Sequence, residues 1–188
     1  MNKSIVIRMK PQKVFLLVIG FCLASGMVKV FGQETMSLKQ VLIEQLKTTH
    51  GDKDWFVPAN LAVAGLTAEQ ANWDDGQGNH SIGQLATHLI FWNERMLQQF
   101  QGKKLPAFEG DNQETFTRFN QAEWEATIQK LDEVLTAWEK AVQNADDSQV
   151  NQWASTIAHI GTHNAYHVGQ IIYIRKDRGW WDAENGVK

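Results

Sequence analysis

The chain has 188 residues, 43% of them hydrophobic and 21% charged, with a formal net charge of −3. That is one domain's worth of sequence with ample material for a core. The first 32 residues hold five of the 18 lysines and arginines and no acid, which leaves 13 basic against 21 acidic side chains, a net of −8, from Gln33 onward. Such a surface argues against a nucleic-acid partner, since phosphate binding needs clustered cations. The single cysteine, Cys22, excludes disulfides, cysteine metal ligands and a cysteine nucleophile from the rest of the chain.

The N-terminal segment opens with Lys3, Arg8, Lys10 and Lys13, followed by an apolar run from Val14 to Val28. A basic start, a short apolar run and small residues after it form the pattern of a secretory signal peptide, expected over residues 1–32. The apolar run is short of the roughly 20 residues that span a bilayer. An uncleaved anchor is the alternative. The expected product is an exported domain over 33–188, periplasmic or secreted, with no stable membrane span once the signal is cleaved.

Four helices are expected in that domain. Ser37-Leu-Lys-Gln40 opens the first, Ser81-Ile-Gly-Gln84 the second and Asn120-Gln-Ala-Glu123 the third. Each sets a capping side chain three residues before a Glu or Gln, which satisfies the free amides of a helix start. The first helix runs from Ser37 to about Thr49, with Leu38, Val41, Leu42, Gln45 and Leu46 on one face. Pro58 opens a short piece, Ala59 to Leu66, and Thr67-Ala-Glu-Gln70 starts another turn. Asp74 to Asn79 and Gly102 to Glu114 read as loops.

The second helix puts Leu85, His88, Leu89, Trp92 and Met96 on one face. The third carries a seam of Trp124, Ile128, Leu131, Leu135, Trp138 and Val142, stepping by four and three. The fourth repeats that rhythm through Trp153, Ile157, Ile160, Asn164, His167, Ile171 and Ile174. With no strand alternation, the fold class is all-α, a four-helix bundle.

Polar groups on an apolar stripe need partners. His163 and His167 stand four apart, about 6 Å along a helix axis and on nearly one face, where two imidazoles can turn onto one metal ion. His88, among apolar neighbours on another helix, is the best third ligand. His159 drifts off the shared face and fits a hydrogen-bonding or rim position better. Asn164 and Gln170 are candidates to orient an imidazole, although a helix-to-helix hydrogen bond is as good a reading. Gly161 and Gly169 weaken the fourth helix unless close packing offsets them. No carboxylate falls on these stripes, so no general base can be named.

Several pieces resemble the DinB-like superfamily of four-helix bundles: Gly65-Leu-Thr-Ala-Glu-Gln70, His80-Ser81-Ile82 with His88 after it, His163-Asn-Ala-Tyr-His167-Val-Gly-Gln170, and Gly179-Trp180. The resemblance spans roughly Leu38 to Trp181, with helices one and three matching only in pattern. It implies a divalent metal, zinc or nickel, held by His88, His163 and His167, with His159 a further histidine not usually a ligand. It also implies chemistry of the hydrolase or thiol S-transferase kind, or none known. The export signal departs from the cytosolic norm and counts against a thiol transferase. The expected function is a metal-dependent enzyme acting on a small-molecule substrate. The alternative is an exported, non-catalytic metal- or ligand-binding bundle; a homodimer stays open.

Overall fold

The structure, a computed structural model, describes residues 35–117 and 120–187. The segment expected to be a signal peptide lies outside the described residues. Within them the chain is helical throughout and no strand occurs. Its helices are α1 (Leu38–His50), α2 (Ala59–Val63), α3 (Ala68–Ala71), α4 (Ile82–Phe100), α5 (Gln121–Asn144) and α6 (Asp147–Asp177), with 3₁₀ turns at Asn112–Thr115 and Ala183–Asn185.

All three expected caps form as reciprocal capping boxes, at Ser37, Ser81 and Asn120, and Thr67 makes a fourth. The start of α6 rests on a cap that went unread, Asp146, whose carboxylate accepts from the Gln149 amide. Its sequence signal, an Asp three residues before a Gln, is the same one that marks the other helices. The short piece after Pro58 ends at Val63 rather than Leu66, because Ala64 is extended and Gly65 turns the chain at φ +71°.

The long helices α1, α4, α5 and α6 form the bundle. Both α1 and α4 pack against α5 and α6, so α4 lies beside α6 although α5 separates them in sequence. The seam of α5 is buried as expected at Trp124, Leu131, Leu135, Trp138 and Val142, each at most 2% exposed, while Ile128 is only partly buried. Both indoles find backbone acceptors, Trp124 at Leu66 (2.8 Å) and Trp138 at Asn93 (3.0 Å). That is what a buried Trp requires.

On α1 the face differs from expectation. Leu42 and Leu46 are buried, but Leu38 and Val41 stand exposed, and Thr49 and His50 take the inward positions instead. His50 sits between two carboxylates of α5, with Nδ1 2.5 Å from Glu139 Oε1 and Nε2 2.9 Å from Asp132 Oδ1, while Asn60 donates to the same Asp132 oxygen. A helix-end histidine thereby pins α1 and the start of α2 to α5.

At the other end Arg175 is buried and donates to the carbonyls of Ala62 and Ala64 and to that of Trp180. It closes the carbonyl end of α2 with a cation, where the helix dipole is negative. Trp180 packs edge-on to Trp73 and covers this end.

Candidate metal centre

Two neighbouring helices bring the three predicted ligands together. On α4 the buried stripe runs Ile82, Leu85, Ala86, Leu89, and His88 falls within it, 4% exposed. On α6, Ile157, Ile160, Asn164, His167 and Ile171 are buried in sequence, and His163 lies half-buried beside them. The Nε2 atom of His163 is 3.2 Å from that of His88 and 3.1 Å from that of His167. One ligand atom from each ring lies within 4.8 Å of the others, a grouping able to hold a metal ion.

The register of α4 on α6 is held by a buried amide pair. Asn93, one turn past His88, donates to Asn164 Oδ1 at 2.8 Å, and Asn164 returns a longer bond of 3.4 Å. Both side chains are fully buried. Asn164 therefore makes the helix-to-helix bond, and it orients the histidines only through the backbone. Gln170 takes the other expected role: its Oε1 lies 2.6 Å from His167 Nδ1.

The second orienting group comes from the residue just past the stretch expected to be loop. Residues Asn112–Thr115 form a 3₁₀ turn capped by Asp111, and this places Thr115, 4% exposed, 2.6 Å from His88 Nδ1. The turn is tied to α4 by the Trp92 indole, which donates to Asn112 Oδ1. Phe108 packs edge-on against Phe91 and Trp92 just before it. Asp111-Asn-Gln-Glu114 is a capping pattern of the same kind as at Asn120 and was the signal available.

These partners fix where the protons sit. Thr115 gives its one hydroxyl hydrogen to the Asn112 carbonyl at 2.7 Å, so toward His88 it accepts, and His88 donates from Nδ1. Gln170 Oε1 only accepts, so His167 also donates from Nδ1. In the neutral rings the Nε2 atoms of both are then bare lone pairs, aimed at His163 Nε2. A proton on His163 Nε2 can satisfy only one of them. The donor set has more lone pairs than hydrogens, and a cation resolves that shortage; outer partners that hold Nδ1–H are the usual companions of metal-binding histidine.

Electrostatics favour the neutral form. Burial, with His167 and His163 beside it, pushes His88 down to about 3 from the ordinary 6.5. Burial first, then His167, takes His163 to about 4, and burial lowers His167 as well, against the opposing bond from Gln170. Neutral imidazole is the ligand form.

The three rings line a cleft of about 650 Å³, walled by Trp92, Met96, Phe116 and Ile160. Among the described residues no Asp, Glu, Lys or Arg lines it; beyond the three histidines its titratable side chains there are His159 and Tyr166, both exposed. His159 is thus in the cleft but outside the cluster, the rim position expected. Phe116 stacks flat on His88 at 4.2 Å and on its other side stacks with His80 at 3.6 Å, a sandwich the sequence did not announce. His50 is remote from this chemistry, in its own contacts with α5.

Residues 59–171, more than half of the chain, match the DinB superfamily. No curated protein and no solved structure matches significantly. The matched stretch contains all of α4, α6 as far as Ile171, and all three clustered histidines. The chain belongs to the DinB superfamily.

Proposed function

We propose that the chain is a metal-dependent enzyme whose divalent ion, zinc or nickel, is held by Nε2 of His88, His163 and His167. The observation that carries this reading is the pair of Nδ1–H donors, to Thr115 and Gln170, that leaves two lone pairs facing a third imidazole. The chemistry supplied when such an ion is bound is Lewis-acid activation: three neutral ligands leave its charge and one position open, lowering the pKa of a water or thiol brought there.

The chain's own residues do the rest. Thr115 and Gln170 hold the rings in one tautomer. Trp92, Met96, Phe116 and Ile160 exclude water and take an apolar substrate body. With no carboxylate in the cleft, proton transfer falls to His159 or to solvent. Hydrolysis of an ester or amide, or transfer of a thiol to an electrophile, are the two reaction classes this arrangement serves.

Elemental analysis of the purified protein, followed by a turnover screen with esters and thiol electrophiles before and after chelation, tests the proposal. It expects activity that chelation abolishes and added metal restores. Metal content unchanged in both His163→Ala and His167→Ala would dismiss the site. The missing base favours a second reading, a non-catalytic bundle in which the ion ties α4 to α6; there a chelator lowers the melting temperature and the screen stays silent. We also propose export, on the strength of the basic start and apolar run in residues 1–32 alone; mass spectrometry of the mature N-terminus checks it.

A further inference from the structure

Tyr166 lines the histidine cleft and also a second one, of about 710 Å³, on the α3–α4 connection side. The walls of this second cleft differ in kind. Trp73, Tyr166 and Tyr173 supply aromatic surface, Asp75 and Asp177 supply carboxylates, His80 lines it with its pKa lowered by burial, and among the described residues no lysine or arginine does.

Each of these features favours positive charge. Aromatic faces carry negative quadrupole potential and attract ammonium groups. Trp73 already has the Arg178 guanidinium 4.6 Å from its ring centre, so that indole is taken by a resident cation and the aromatic faces left to a ligand are those of the two tyrosines. The Asp75 carboxylate accepts from the Asn79 side chain and the Gln77 amide, bonds that favour its ionised form. Asp177 is the last residue of the 31-residue α6, at the negative end of the helix dipole. Lys176, the residue before Asp177, lines a different cavity. Over the whole domain, the net charge of −8 from Gln33 onward adds a long-range pull of the same sign.

We propose that this cleft is a binding site for the ammonium group of a small organic cation, with Tyr166 and Tyr173 offering it aromatic faces and Asp75 and Asp177 balancing its charge. The site stands on its own walls and does not require the metal. It is nevertheless adjacent to the metal centre, because Gln170, the partner of His167, lines it too.

The test is calorimetric titration of the full-length protein with choline and with 3,3-dimethylbutan-1-ol, its uncharged isostere, run with and without chelator. Choline binding at least about tenfold tighter than the alcohol is expected, the size of one desolvated cation–aromatic contact with its counter-charge. Tyr173→Leu and Asp177→Asn, both at exposed positions, should each weaken choline about five- to tenfold and leave zinc binding unchanged. Choline no tighter than the alcohol, or undiminished in both variants, overturns the proposal. Because the chelated protein is titrated as well, failure of the metal centre shows in zinc binding and failure of this cleft shows in choline binding. Sedimentation with phosphatidylcholine vesicles, competed by free choline, would identify a lipid headgroup as the source of the ammonium; no sedimentation alongside choline binding identifies a free solute.

Discussion

The hydroxyl of Thr115 lies 2.6 Å from Nδ1 of His88 and passes its own hydrogen to the Asn112 carbonyl, so a residue 27 positions away sets which nitrogen of that ring is free. The valine isostere keeps the shape and removes the acceptor. Thr115→Val should weaken zinc about 10- to 100-fold, the usual cost of losing an outer partner, with the helical circular dichroism unchanged. Gln170→Leu should do the same through His167. Zinc titration against a competing chelator reads both, and equal affinity in wild type and variants would refute tautomer control.

The Asn93–Asn164 pair should behave as a single unit. Asn164→Ala leaves the amide of Asn93 short of a partner inside a sealed core, at a cost of about 1–3 kcal/mol. Asn93→Ala should cost a similar amount, and the double variant less than the sum, with a coupling of about 0.5–3 kcal/mol between them. Urea unfolding of the four proteins measures this, and strict additivity would mean that the two amides do not act together.

Helical glycines make a contrast. Nothing lies within 4 Å of a Cβ added at Gly169, and at Gly161 the nearest atom, Gln45 Cβ, is at ordinary contact distance of 3.8 Å. Close packing therefore does not demand either glycine. Gly169→Ala is expected to stabilise the fold by about 1 kcal/mol through helix propensity. Gly179, at φ +69°, should respond oppositely to the same change, losing about 1 kcal/mol. Thermal melts of the two variants that moved in the same direction would contradict this.

Acid should destabilise the metal-free protein. Its His88 and His163 are held at about 3 and about 4, below the 6.5 of an ordinary histidine. The unfolded chain therefore takes up protons first as pH falls. The folded state keeps its full advantage above about 6.5 and loses it progressively as pH falls to about 4 for His163 and about 3 for His88. In the presence of chelator the melting temperature should drop across that window. Replacing both rings, as in His88→Leu with His163→Leu, should flatten the drop. A melting temperature that rose on acidification would reverse the sign and exclude buried neutral imidazoles.

How far the sequence could be read followed from the kind of signal each residue gave. Caps at Ser37, Ser81 and Asn120 and the α5 seam are local patterns with one structural solution, and they appear where expected. The meeting of His88 with His163 and His167 was legible because polar rings on two apolar stripes need a common partner. Thr115 was hidden, since a threonine in a loop carries no periodicity and becomes meaningful only once the 3₁₀ turn is placed against α4. The His50 contacts were hidden for the same reason: Asp132 and Glu139 lie on the third helix at positions that read as solvated. On α1, periodicity overestimated burial at Leu38 and Val41, which stand exposed because among the described residues no element covers that side of the helix.

X-ray absorption at the metal edge, on protein loaded with one equivalent of zinc or nickel, bears most directly on the centre. The expected spectrum shows three imidazole nitrogens at about 2.0–2.1 Å around zinc, falling to two in His163→Ala. A first shell without imidazole, or one that is the same in wild type and His163→Ala, would contradict the convergence of these three rings on one ion.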